Sequence, residues 1–247
     1  MKKNILIVGD PHVGKSTLLK RIIADIPPEK KCGFVTNEVT DDGRRIGFEI
    51  ETSFGEKKLF ASHDLYSRAA VRHHLYGVDI EAFEVLSEKV HSRWRRGMLL
   101  YLDEVGEMQL HSEKWRDTFL LPCLGYRPMT CLATISSAPR SFLHELRRHR
   151  DDVILIELTK DNREAQYAFI AALLGKIEKA KHYIAHPELW SLFTATNSAR
   201  LESEHGVRYL ELRRGYDYGC NCDFYKQHKI CSHMIAAEHM MQQKQNA

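Results

Sequence analysis

The chain has 247 residues, 43% hydrophobic and 28% charged, with 36 Lys and Arg against 33 Asp and Glu for a formal charge of +3. This length suits one large or two modest domains, with a core that needs no disulfide staple. Fourteen glycines and seven prolines are too few for a fibrous chain, no apolar run nears the ~18 residues of a membrane span, and so slight a charge does not by itself argue for nucleic acid.

Asn4–Val8 is a β-branched apolar run that predicts a buried strand. It is too short for the apolar region of a signal peptide, so a cytoplasmic chain without membrane contact is expected. Leu18, Leu19, Ile22, Ile23 and Ile26 recur with helical spacing up to Pro27-Pro28. Cys32–Thr36 reads as a second strand. Ile46–Thr52 and Lys57–Ala61 alternate around Ser53-Phe54-Gly55-Glu56, which predicts a hairpin. Helices are expected over Ile80–Trp94, Lys114–Leu121, Phe142–His149 and Glu164–Ala180, and strands over Met98–Leu102, Thr130–Ile135 and Val153–Leu158. Apolar strands alternating with helices imply an α/β fold with a parallel sheet covered on both faces. After about Lys181 the pattern changes. His182–Phe193 is aromatic and irregular, Arg208–Arg214 alternates like a strand, and Met234–Met241 suits a short terminal helix. A domain boundary is therefore expected between 178 and 195. The segment from Lys181 onward carries eight Lys/Arg and seven Asp/Glu, so charge is not segregated there.

Gly9-Asp10-Pro11-His12-Val13-Gly14-Lys15-Ser16 fits G-x-x-x-x-G-K-[ST] between the first strand and the first helix. A glycine at each end lets the backbone curl so that successive amides face phosphate oxygens, and the helix beginning at Lys15 adds its positive end. The expected phosphate-binding set is Gly9, Asp10, Pro11, His12, Val13, Gly14, Lys15, Ser16 and Thr17. In it Lys15 reaches the β- and γ-phosphates, and the Ser16 hydroxyl is a Mg²⁺ ligand. Leu99-Leu100-Tyr101-Leu102-Asp103-Glu104 is a buried strand ending in two carboxylates. Acids are tolerated there because ligands bind at the carboxyl ends of such strands. Asp103 is the expected Mg²⁺ partner, and Glu104 with Lys15 the catalytic pair, Glu104 polarising the water that attacks the γ-phosphate. Thr134 and Ser136 are candidates for bonding the γ-phosphate or that water. Arg68, Arg72, Arg140, Arg147 and Arg148 are candidate charge-stabilising fingers, each of which also suits a solvated surface. Thr159-Lys160-Asp161-Asn162 places its Asp one residue early for guanine recognition, so no guanine preference is expected.

Asp103-Glu104-Val105-Gly106-Glu107-Met108 resembles the D-E-[IV]-G-x-M signature of the small P-loop nucleoside-triphosphatases of thermophiles, which have vertebrate relatives. Further matching pieces follow in order: Gly33-Phe34-Val35-Thr36-Asn37-Glu38-Val39, Gly47-Phe48-Glu49-Ile50, Tyr76-Gly77-Val78-Asp79, Phe83-Glu84, Ala133-Thr134-Ile135, and Ile156-Glu157-Leu158-Thr159 with Asn162-Arg163. The resemblance covers about residues 3–178. It implies a RecA-like parallel sheet with a β-hairpin insertion and a Mg²⁺-dependent hydrolase tolerant of base and sugar, converting ATP, GTP and other nucleoside triphosphates to diphosphate and phosphate. Two departures are Asn37, where the family has an acid, and His12, where a small residue is commoner.

Cys220-Asn221-Cys222, eight residues, then Cys231-Ser232-His233 spell C-x-C-x₈-C-x-H. Three thiolates and one imidazole, Cys220, Cys222, Cys231 and His233, fill a tetrahedral Zn²⁺ shell with no open position, the mark of a structural site. His228 and His239 are then surplus and expected at the surface. With the preceding Val207–Leu212, the Cys222-Asp223-Phe224-Tyr225 run and the trailing Met234-Ile235-Ala236-Ala237, the pattern is similar to the SWIM-type zinc finger over about 195–242. The expected organisation is an NTPase domain over 1–178, a linker over 179–194 and a zinc module over 195–247. The SWIM resemblance implies docking on DNA, RNA or a protein. Arg208, Arg213, Arg214, Lys226 and Lys229 interleave with Tyr209, Tyr216, Tyr218, Phe224 and Tyr225 in a way that suits phosphates and stacked bases, or equally packing around zinc. Two other functions fit parts of the pattern: a nucleotide or nucleoside kinase, against which Glu104 argues, and a non-catalytic nucleotide-gated adaptor.

Overall fold

A computed structural model describes residues 1–125, 129–135, 153–212 and 218–245. The helix expected over Phe142–His149 and the candidates Ser136, Arg140, Arg147, Arg148, Arg213, Arg214 and Tyr216 lie outside the described residues. Two compact units emerge, one of Lys3–Tyr167 and one of Ala168–Ala247 with Met1–Lys2.

The first unit is built on β1 (Asn4–Val8), α1 (Lys15–Ala24), β2 (Lys31–Asp41), β3 (Arg44–Thr52), β4 (Lys57–Ser62), β5 (Val71–His73), β6 (Tyr76–Val78) and α2 (Ile80–Arg93). There follow β7 (Leu99–Val105), α3 (Glu107–Leu110), α4 (Glu113–Trp115), α5 (Leu121–Leu124), β8 (Thr130–Ile135) and β9 (Val153–Glu157). Among the described residues nine strands form one sheet in the order β5-β6-β4-β3-β2-β7-β8-β1-β9. β2, β7, β8, β1 and β9 run parallel, and β3, β4, β6 and β5 extend the sheet antiparallel. The sheet is thus mixed where a parallel one was expected. The cause is the length of β2. It runs past Thr36 to Asp41, turns, and pairs with β3 from Phe34↔Thr52 to Asp41↔Arg44, so the anticipated hairpin of β3 and β4 becomes part of the main sheet. The helix expected over Lys114–Leu121 is divided instead into α4, a π-helical turn at Arg116–Leu120 and α5, with Pro122 in the first turn of the last.

The central parallel strands β1, β7 and β8 carry apolar residues on both faces because neither face is left wet. β1 and β8 are buried at every position. An aromatic cluster fills the centre, with the Phe34 and Phe83 rings edge to face at 5.7 Å and Phe83 and Trp115 at 4.9 Å. β2 and β7 approach closely at Gly33, where a Cβ would stand 1.9 Å from the Tyr101 carbonyl oxygen.

In the second unit α6 (Arg163–Ala185), which begins within the first, buries Ile170, Leu173, Ile177, Ala180 and Tyr183 at helical spacing. Residues 179–194, where a linker was expected, carry the end of this helix, a turn at Pro187–Leu189 and β10 (Trp190–Phe193). β11 (Ser198–Ser203), β12 (Gly206–Leu212) and β13 (Tyr218–Cys220) complete an antiparallel sheet in sequence order. The short α7 (Asp223–His228) and the terminal α8 (Ser232–Gln245) follow.

Replacing Gly33 with Ala forces β2 and β7 apart. The expected loss is about 1–3 kcal/mol or more, read as a lower denaturation midpoint at unchanged slope.

Candidate active site and cysteine cluster

The loop between β1 and α1 ends at Gly14, whose φ of 98° is a left-handed conformation suited to a residue without Cβ. His12 also has positive φ, 60°, a region His enters more readily than most residues. Histidine is therefore tolerated at this position of the loop. α1 has no side-chain cap and no acid in its first turn, so its opening amides and positive end are left for an anion. Lys15 is buried, and its ammonium donates to the carbonyls of Gly9 at 2.8 Å and Asp10 at 3.0 Å. Burial pushes its pKa down, against the pull of Glu104 first, then Asp103 and Asp10.

Asp103 and Glu104 sit at a β-bulge. Leu102 pairs with Ala133 and Val105 with Ile135, so the two acids together face the single residue Thr134. Two consecutive acids that a regular strand would send to opposite faces are thereby re-aimed. Asp103 is 1% exposed. Its Oδ1 accepts from the Ser16 hydroxyl at 2.8 Å and the Thr134 hydroxyl at 2.5 Å. Its Oδ2 is buried with no hydrogen-bond partner among the described residues. An orphaned carboxylate oxygen beside a loop serine is the donor set a hard, oxygen-seeking Mg²⁺ takes, so the residues fit that ion. Thr134, a candidate for the γ-phosphate or water, is here the partner of Asp103. Glu104 is half-buried.

Three other residues complete the surroundings. Arg163, at the start of α6, donates from Nε to the Val13 carbonyl at 2.8 Å and buttresses the loop. It had no role assigned in the sequence, where its only signal was its place in the Asn162-Arg163 match. Asn37 accepts from Lys20 at 2.8 Å and donates to Glu51 at 2.9 Å; an acid there would face Glu51 as like charges. Of the described finger candidates, Arg72 donates to the Tyr66 carbonyl and lies over its ring.

In the second unit Cys220, Cys222, Cys231 and His233 are all buried, and their donor atoms lie within 4.8 Å of one another. Cys220 Sγ is 3.7 Å from His233 Nδ1, and Cys231 Sγ accepts from the Met234 amide at 3.4 Å. Hydrogen bonding from Cys231 holds the Cys220 thiol well down. A closed three-sulfur, one-nitrogen set of this kind fits structural Zn²⁺. His228 and His239 depart from the surface roles expected of them. The His228 ring stacks on Phe169 at 4.8 Å and packs on Phe224 at 4.5 Å, and burial pushes the half-buried His239 down. Phe224 is thus engaged internally, whereas Tyr209 is 64% exposed.

Residues 4–171 match the family described as NTPase. The chain belongs to this family. Nucleoside-triphosphatase THEP1 of Aquifex aeolicus is 36% identical over 181 residues, spanning 70% of this chain and 99% of its own. The cancer-related nucleoside-triphosphatase homologue of mouse is 28% identical, spanning 70% and 97%. The crystal structure of Aquifex THEP1 superposes with a TM-score of 0.61 at 34% identity, covering 69% of this NTPase and 98% of that chain. The cysteine cluster lies beyond the residues of the family match.

Burial raises the Asp103 pKa, outweighing the hydrogen bonds from Thr134 and Ser16 and the attraction of Lys20 and Lys15. A carboxyl raised in the folded state favours the fold fully below its unfolded pKa and ceases to do so as pH rises through the raised value. At neutral pH the metal-free NTPase therefore bears a charge penalty. Asp103→Asn is expected to raise its unfolding temperature at pH 7, with the gap closing as pH falls through the carboxylate range. Thermal scans without divalent ions measure this, and a variant no more stable than wild type contradicts it.

Proposed function

We propose that this nucleoside-triphosphatase cleaves the terminal phosphoanhydride of ATP, GTP and other nucleoside triphosphates, with Mg²⁺ held by Ser16 and Asp103 and water oriented by Glu104. The observation that carries the reading is the bulged acid pair, with one carboxylate buried against the loop serine and the next half-exposed beside Lys15. The loop from Gly9 to Thr17 and the opening turn of α1 bind the β- and γ-phosphates through main-chain amides. Lys15 exchanges the Gly9 and Asp10 carbonyls for phosphate oxygens. Mg²⁺ held by Ser16 and Asp103 would supply positive charge that offsets the charge of the phosphates. Glu104 accepts the proton of the attacking water as its oxygen bonds to the γ-phosphorus, and the diphosphate leaves. Arg163 keeps the loop in its binding shape. Glu104→Gln is expected to lower kcat by about 10²–10⁴ with nucleotide affinity intact, measured as phosphate release beside equilibrium binding. Wild-type turnover in that variant would remove Glu104 from the mechanism.

The second unit is built around its donor set. Cys220, Cys222, Cys231 and His233 hold a structural Zn²⁺, and residues 195–247 form a SWIM-type module that docks the enzyme on nucleic acid or a protein. The NTPase domain runs to 178 and the module from 195 follows it, with 179–194 carrying the end of α6 and β10, and the enzyme works in the cytoplasm. The family match ending at 171 and the ligand cluster beginning at Cys220 support that division. Exposed Tyr209 supports a stacking surface. Phosphate release with and without single-stranded and duplex nucleic acid, over a salt series, discriminates the partners. Stimulation that fades with salt is expected for nucleic acid, and none for a protein partner.

A further inference from the structure

Among the described residues a second group of side chains, away from the cysteine cluster, is arranged as a ligand set. His73 ends β5, His74 opens the two-residue turn into β6, and Glu107 opens α3. One donor atom from each lies within 4.8 Å of the other two, and His73 Nε2 is 3.7 Å from Glu107 Oε2. The His73 and His74 rings stand edge to face with centroids 4.4 Å apart. Successive strand residues normally point to opposite faces. His74 escapes that rule because the turn holds it at φ 51°, which brings its ring beside that of His73. His111, the residue after α3, brings a third imidazole, 6.0 Å from His73 between centroids.

An ion pair between His73 and Glu107 is within reach but leaves part of this arrangement unused. At 3.7 Å the His73–Glu107 separation is too long for a hydrogen bond, and a pair has no use for the second imidazole. A shared cation does. Donors about 2.1 Å from an ion stand about 3.4 Å apart at tetrahedral angles, so modest side-chain rotations would close the set. The Glu107 carboxylate is 44% exposed and His73 19%, which leaves access for the ion and an open coordination position. Two imidazoles with one carboxylate suit Zn²⁺ or Ni²⁺, whereas Mg²⁺ prefers oxygen donors and water.

We propose that His73, His74 and Glu107 form a binding site for a divalent transition-metal ion, separate from both the phosphate loop and the cysteine cluster. His111 is the spare donor for the open position. An ion there pins the β5–β6 turn to α3.

The test is equilibrium dialysis of the full-length protein against Zn²⁺, without nucleotide or Mg²⁺, followed by metal analysis. Wild type is expected to bind two equivalents. His73→Gln and Glu107→Gln should each keep the tight equivalent of the cysteine cluster. Their second should weaken by more than the roughly 10–100-fold typical of losing a ligand's hydrogen-bonding partner. Circular dichroism and nucleotide affinity check that the variants fold. In parallel, Ni²⁺ should raise the unfolding temperature of wild type and leave both variants unmoved. A single equivalent in wild type overturns the proposal, as does a second equivalent held equally by wild type and both variants.

Discussion

A buried carboxylate that accepts from two hydroxyls organises the nucleotide end of this protein. Asp103 on β7 ties Ser16 of α1 to Thr134 of β8. The phosphate loop is thereby fixed to two strands of the parallel sheet. Hydrogen bonds to a charged acceptor are stronger than neutral ones, and here they offset only part of the cost of taking the charge out of water. The residual cost lies on Oδ2, where a cation would relieve it. Stability and ion binding are opposed at this one atom, as is common where a site is built for a charged ligand.

Much of this was legible in the sequence because the physics is local. A phosphate loop needs glycine where φ is positive, an amide-lined curl and a helix behind it, and all three are written in consecutive residues. The acid pair ending an apolar strand is equally local, since only a strand end can carry charge. What was not legible depends on pairing at a distance. The mixed character of the sheet follows from β2 extending to Asp41 and choosing β3 as its second neighbour, and no periodicity within Cys32–Thr36 announces that. The same holds for Arg163, whose value lies in reaching the Val13 carbonyl across a long stretch of sequence. The turn that brings His73 and His74 together was missed too, because β5 and β6 are only three residues each.

The second unit shows the reverse balance. Its four metal-type ligands are spaced so characteristically that they could be named before any geometry. The sheet leading to them was only partly visible: β12 was anticipated, whereas β10 lay in a stretch that read as irregular. Short antiparallel strands of mixed composition take their order from the neighbours they pair with, and here Trp190 meets Leu201. Likewise, His228 and His239 looked superfluous as ligands, yet one is used in ring packing and the other is half-buried.

The doubled position opposite Thr134 has an evolutionary corollary. Leu102 and Val105 are three residues apart yet both join the same apolar cluster, because the extra residue resets the in–out alternation between them. Deleting either acid, unlike exchanging it, would turn Val105, the last residue of β7, to the wrong side of the sheet. Lineages can therefore vary the chemistry of this segment by substitution, whereas changes in its length would be purged through folding before catalysis was ever sampled.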